Sequence, residues 1–188
     1  MTLTLEPGMP RLAPWLNPKS GMWKRATERM SILGAEALWA AVEPRLEPVR
    51  YAGHRSRARA LQSISRRLCR SHGYRLDVRG AIPDDPVILV SNHLSYIDAL
   101  ALTGLHPVSP IAKVEVGGWP VVGATLQDLG VNFVDRGDPH SGAVALRRAM
   151  RALRAGVSVL NFSEGSTSFG DDLLPLKRGI FGLAKLMG

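Results

Sequence analysis

A histidine and an aspartate five residues apart, His93 and Asp98, stand in the run Ser91-Asn92-His93-Leu94-Ser95-Tyr96-Ile97-Asp98. A neutral imidazole can take a proton from a hydroxyl near neutral pH. A carboxylate on its other ring nitrogen fixes the tautomer and stabilises the imidazolium that forms. Positions five apart do not share a helix face at about 3.6 residues per turn. The pair meets only if His93 lies in the turn ahead of a helix and folds back onto it. The same residues spell a second possibility, the capping box Ser95-x-x-Asp98, in which Asp98 caps a helix and His93 is an ordinary loop residue.

Two further blocks carry polar chemistry. Gly130–Gly137 reads as a strand ending in Arg136, whose planar fork suits a phosphate, or else pairs with Asp135 or Asp138 at the surface. Phe162-Ser163-Glu164-Gly165-Ser166-Thr167-Ser168 follows an apolar run, and its glycine and hydroxyl residues can offer backbone N–H groups to an anion. Glu164 there can orient a substrate hydroxyl or hold Arg136 and the local backbone; the plainer alternative is a polar turn. Ser95 and Ser163 have the chemistry of nucleophiles, but neither sits in a G-x-S-x-G elbow.

The elements that must position these groups alternate. The spacing predicts helices over Ser20–Val42, ended by Pro44 and Pro48, and over Arg55–Ser71, after an irregular proline-rich lead-in at 1–20. Strands are expected at Tyr74–Val78, Val87–Val90 (a buried one), Ile111–Val114, Val131–Val134 and Val157–Phe162. Helices are expected between them at Tyr96–Leu105, Val121–Leu129 and His140–Ala155, with another from Phe181 to Met187. Short apolar strands alternating with helices make an α/β fold, a sheet flanked by helices.

The 188 residues fit one such domain, here residues 73–188, preceded by a helical segment at 1–72. Residues 1–80 carry 15 Lys+Arg against 6 Asp+Glu, and residues 81–188 carry 9 against 10, so the net charge of +8 belongs to the first part. This basic arm, whose second helix holds Arg55, Arg57, Arg59, Arg66, Arg67 and Arg70, suits an anionic membrane surface or an acidic carrier protein. Its helices pack on the domain in the alternative reading, with the arginines in water. A nucleic-acid role lacks any helix-turn-helix, zinc or aromatic-platform signature. Cys69 is the single cysteine, so no disulfide framework or cysteine-rich zinc site forms within the chain. No secretory signal and no run of roughly 20 apolar residues is expected, so a membrane would be met at its surface.

Taken together the blocks resemble the lysophosphatidic acid acyltransferase (glycerolipid acyltransferase) family, with its N-H-x-x-x-x-D, G-x-x-F-x-x-R and F-P-E-G-T-R-S motifs. These correspond to Asn92–Asp98, Gly130–Arg136 and Phe162–Ser168. Lys113, Glu115, Trp119-Pro120 and Gly123, and Leu174-Pro175-x-Lys177-x-Gly179, are also similar to family features. The resemblance covers Tyr74 to Gly188 and implies a glycerol-3-phosphate acyltransferase-like sheet. It implies His93 as general base and Asp98 as its partner, in transfer of an acyl group from an acyl carrier protein or coenzyme A thioester to a lysolipid hydroxyl. Asn92, Arg136, Glu164, Gly165, Ser166 and Thr167 would bind the acceptor, and no cofactor, metal or covalent acyl-enzyme is implied. The expected location is the cytoplasmic face of the plasma membrane, held peripherally.

The third block departs from the family pattern. Ser163 stands for proline, Ser166 for threonine and Thr167 for arginine, and the Thr167-Ser168 ending is similar to members that acylate lyso-ornithine lipid. The family's fourth, apolar V-P-type motif is also unmatched, so the chain is expected to be C-terminally incomplete. Three readings therefore stand: 1-acyl-glycerol-3-phosphate as acceptor, lyso-ornithine lipid as acceptor, or a non-catalytic lipid-binding fragment.

Overall fold

The run Val157–Phe162, expected as a strand, forms β4 (Ser158–Phe162), which is covered on both faces. In the computed structural model, which describes residues 21–46, 51–166 and 174–188, β4 lies inside a four-stranded parallel sheet. The order is β1-β4-β2-β3, with β1 at Ile88–Ser91, β2 at Val108–Lys113 and β3 at Asn132–Val134. β4 pairs with β1 from Ile88↔Val159 to Ser91↔Phe162 and with β2 from Val108↔Ser158 to Pro110↔Leu160. Its pleat sends Val159 into one core and Leu160 with Phe162 into another. Removing a side chain such as Leu160 wholly from water contributes roughly 1.5–3 kcal/mol.

β1, β2 and β3 are each followed by helical crossover chain, as parallel pairing requires. The helix α3 (Tyr96–Leu105) covers the Leu160 face with Ala99 and Leu102. The short α4 (Val114–Gly117) and α5 (Val122–Asp128) lead into β3. Helix α6 (Pro139–Arg154) covers the Val159 face through Ala149, Ala152 and Leu153, joined there by Ile180 and Leu183 of α7 (Gly179–Met187). Asp138 caps α6 by accepting from the His140 and Ser141 amides, with Pro139 next to it and Arg151 and Arg154 in the last turn.

The two N-terminal helices belong to the same body. α2 (His54–Ser71) crosses the amino-terminal edge of the sheet. Ala58 joins the Val159 core, while Leu61 and Ile64 pack with Leu129, Val131 and Ala40 of α1 (Gly21–Leu46). The apolar stripe of α2, Leu61, Ile64 and Leu68, therefore packs against protein. Four of the six arginines on α2 are also used internally. Arg55 Nε donates to the Ala155 carbonyl, Arg66 Nε to Gly104, Arg57 Nε to Tyr51, and Arg67 pairs with Glu36. Gln62 donates to the Leu105 carbonyl. Arg55, Gln62 and Arg66 thereby meet carbonyls at the C-terminal ends of α3 and α6, which have no partner within their own helices. Gly104 permits the approach, because a Cβ there would lie 3.3 Å from the Arg66 backbone nitrogen.

Several expectations need correction. Tyr74–Val78 forms no strand, with no ladder partner among the described residues; α2 ends at Ser71, and Gly73 turns the chain at φ 76°. β1 is only partly buried, because it stands at the outer edge of the described sheet with Val90 exposed. β2 begins at Val108, ahead of Pro110. α1 runs through Pro44 to Leu46; Pro48 and residues 1–20 lie outside the described residues. α1 buries Ala40 and Ala41 rather than Leu33 and Leu38, which stay exposed with Met30 and Trp39.

Two expectations about stability follow. Gly104→Val drives its side chain into the α2 backbone and costs about 1–3 kcal/mol in urea denaturation. His106 Nε2 lies 2.9 Å from the Ser158 hydroxyl, which also accepts from the Val87 amide, and burial holds the imidazole below its ordinary pKa. The unfolded chain then binds the proton more readily. His106 contributes stability above the unfolded value near 6.5, and that contribution is lost as pH falls below it. The denaturation midpoint should therefore be lower at about pH 5.5 than at about pH 7.5, with the gap narrowed by His106→Gln.

Candidate active site

In a parallel sheet every carboxyl strand end points the same way, and polar loops gather at that edge. Here the end of β1 leads to His93, β2 ends at Lys113, β3 leads to Arg136, and β4 leads to Glu164 and Gly165. His93 lies in the loop between β1 and α3. Its Nδ1 is 3.3 Å from Asp98 Oδ2, with both side chains largely buried. The same Oδ2 accepts the Leu94 amide at 2.6 Å and the Ser95 amide at 2.8 Å, while Ser95 Oγ accepts from Ile97. Capping box and His–Asp pair, posed as alternatives by the sequence, are thus one structure. The cap holds the carboxylate at the helix start, where the backbone also favours negative charge, and the loop brings the imidazole to it.

With Nδ1–H donated to Asp98, Nε2 keeps its lone pair and has no hydrogen-bond partner among the described residues. The ring stacks on Phe162, centroids 4.0 Å apart. Phe162 was absent from the candidate residues; the signal was available in its place at the end of the buried strand, directly before Ser163 and Glu164.

Glu164 is only 4% exposed, and both its oxygens are taken by backbone amides. Oε1 accepts from His93 at 3.1 Å, and Oε2 from Leu174 at 3.2 Å. Its geometry is that of a brace between two loops rather than of a group offered to a substrate hydroxyl. Gly165 next to it has φ +81°, a left-handed conformation that favours glycine, and Arg136 Cζ comes within 3.9 Å of where a Cβ would be.

Arg136 is not paired with either neighbouring aspartate. Asp135 accepts from the Gly137 amide, and Asp138 caps α6. Desolvation lowers the guanidinium pKa, opposed by the charge of Glu115. Glu115 pairs with Lys113 at 2.6 Å, and that hydrogen bond holds its carboxyl below the ordinary range.

Asn92 and Ser166 are exposed at the same edge, and Thr167 lies outside the described residues. Ser163 is buried with its hydroxyl accepting from Asn161, Ser95 is the helix cap, and burial raises the pKa of the Cys69 thiol. None of the three presents an activated nucleophile. Tyr96 and Trp119 meet edge to face at 5.6 Å, and together with Leu94 and Val121 they form an exposed apolar rim near His93. Val121 has φ 63°, a strained conformation for a β-branched residue.

Residues 75–188 match the family model described as Acyltransferase. Over 128 residues the chain is 34% identical to a 1-acyl-sn-glycerol-3-phosphate acyltransferase of Neisseria meningitidis serogroup B, covering 67% of this chain and 50% of the relative. It is 35% identical over 107 residues to a lyso-ornithine lipid O-acyltransferase of Pseudomonas aeruginosa, covering 57% of this chain and 41% of the relative. A crystal structure of the 1-acyl-sn-glycerophosphate (LPA) acyltransferase of Thermotoga maritima superposes with a TM-score of 0.65 at 21% identity. It covers 88% of this chain and 71% of that one, a likeness of fold. The chain spans about half the length of the curated relatives it matches.

Asp98→Ala removes the helix cap and the imidazole's acceptor together. It should lower stability by roughly 1–3 kcal/mol in urea denaturation, whereas His93→Ala, which leaves the cap intact, should cost less than about 1 kcal/mol.

Proposed function

The chain belongs to the acyltransferase family, and from that premise we propose that it transfers a fatty acyl group from a thioester to the hydroxyl of a lysolipid. The observation that carries the reading is the His93–Asp98 pair at the carboxyl edge of the sheet, with Nε2 left as the accepting nitrogen. His93 Nε2 takes the acceptor's hydroxyl proton as the oxygen attacks the thioester carbonyl. Asp98 stabilises the imidazolium, which returns the proton to the departing thiolate. The acyl group passes directly to the acceptor, in keeping with the engaged hydroxyls of Ser95 and Ser163. Phe162 and Glu164 hold the ring and the backbone of His93, which limits the reorganisation needed at reaction.

For the acceptor we favour 1-acyl-glycerol-3-phosphate, because Arg136 stands over the Gly165 turn where a phosphate can meet it. The second acceptor, lyso-ornithine lipid, is supported by the Pseudomonas relative and by the Thr167-Ser168 ending of the third block. Acyl carrier protein or coenzyme A is the donor in this reading, and no cofactor takes part. Among the described residues no helix is long and apolar enough to cross a membrane. We place the protein peripherally on the cytoplasmic face of the membrane. Met30, Leu33, Leu38 and Trp39 on α1 offer apolar contact, and Leu38 and Trp39 are 64% and 54% exposed. The α2 arginines contribute less to this surface than their number suggests, since three of the six donate to backbone carbonyls and Arg67 pairs with Glu36.

The purified chain, given a labelled acyl thioester and a panel of lysolipids, should form the diacyl product. His93→Ala should lower the rate by about 100-fold or more. No transfer by the wild-type chain to any lysolipid would replace this reading with that of a non-catalytic lipid-binding protein.

A further inference from the structure

Lys177 has no task in the chemistry above, yet its backbone is tied into the site. The Lys177 amide donates to the Ser163 carbonyl at 2.7 Å. Three residues earlier, the Leu174 amide donates to Glu164, whose other oxygen holds the amide of His93. This segment is therefore braced by the same buried carboxylate that holds the base. Its side chain runs over the Gly165 turn, with Cγ at 3.6 Å and Cε at 3.4 Å from the position a Cβ would occupy. Arg136 approaches the same point, at 3.9 Å from its Cζ. Among the described residues neither cation forms an ion pair. Two positive groups, one from the end of β3 and one from the segment ahead of α7, converge on Gly165, and the carboxylate beside it, Glu164, is occupied by amides.

We propose that Lys177 is a second acceptor-binding cation, which with Arg136 brackets Gly165 and grips the phosphate monoester of the lysolipid. The inference rests on reading the site as an acyl-transfer centre. A phosphate monoester presents three terminal oxygens and close to two negative charges. A guanidinium fork engages two oxygens, and an ammonium supplies a compact charge to the third. A headgroup with a carboxylate and an ammonium of its own, such as ornithine, carries no net negative charge and gains less from the second cation. Glycine at position 165 keeps the space between the cations open; a side chain there would meet Lys177 and be strained at φ +81°.

The test uses the whole chain as wild type, Lys177→Ala and Lys177→Arg. Initial rates are measured against 1-acyl-glycerol-3-phosphate and lyso-ornithine lipid, with equilibrium binding of 1-acyl-glycerol-3-phosphate and uncharged monoacylglycerol. Lys177→Ala should raise KM and Kd for the phosphate acceptor by about ten- to hundredfold, with kcat within about threefold. Lys177→Arg should recover most of the loss, and monoacylglycerol binding should not change. A smaller effect on lyso-ornithine lipid marks the phosphate as the partner; an equal effect on both overturns the assignment to phosphate. Unchanged KM and Kd, a loss confined to kcat, or equal weakening of monoacylglycerol would overturn the proposal while leaving acyl transfer standing. Should the wild type transfer to nothing, the acyl-transfer reading fails, and the Kd comparison alone decides the role of Lys177.

Discussion

A carboxylate withdrawn from water must be matched by donors, and the way Glu164 meets that demand organises the site. Its two oxygens are satisfied by the His93 amide in the loop after β1 and the Leu174 amide ahead of α7. A buried charge with its donors removed costs several kcal/mol, so these loops are held by a strong and directional constraint. Both lie beside the end of β4, the most buried strand, whose Val159 and Leu160 are fully enclosed. The rigid centre of the sheet thereby fixes the imidazole's backbone on one side and the Lys177 segment on the other. Phe162, the last residue of that strand, supplies the surface against which the imidazole ring lies.

Asp98 shows the same economy at the start of α3. One oxygen receives two loop amides and the imidazole. Capping needs a carboxylate at the third helical position, and orienting a base needs one beside the loop histidine. Because the loop folds back over the helix start, a single group meets both demands. Local structure and chemistry cannot be separated at this position: a change that removes the acceptor of Nδ1 also loosens the helix that carries it.

The opposite edge of the sheet is held differently. α2 lies across it, and its Arg55, Arg66 and Gln62 donate to carbonyls at the ends of α3 and α6, while Gly104 lets the backbones close to contact. A segment that reads as a basic arm by charge thus shares the core of the domain through Ala58, Leu61 and Ile64. Exposed apolar residues lie on α1, on α7 at Phe181, Leu186 and Met187, and on the rim formed by Leu94, Tyr96, Trp119 and Val121. These are where contact with lipid costs least and gains most.

The sequence alone determined the class of fold, because runs of apolar residues at strand and helix periods carry their own spacing. Three of the four strands and the longer helices between them fall where that spacing puts them, while β2 starts three residues early and α4 was not expected. The three polar blocks follow the ends of β1, β3 and β4 or include them. It also determined the motif residues and hence the family. Tertiary structure decided what periodicity cannot express. Tyr74–Val78 has the right residue types for a strand but no neighbour to bond, and β1 is apolar yet ends at the edge of the order β1-β4-β2-β3. The two possible roles of Asp98 were both legible, and only the fold of the loop shows them coexisting. Glu164 and Lys177 had no determinate partners in the sequence, since their contacts join segments 71 and 14 residues apart. Such contacts depend on which strand ends the parallel sheet brings side by side, and the order of strands in a sheet is written in no local pattern.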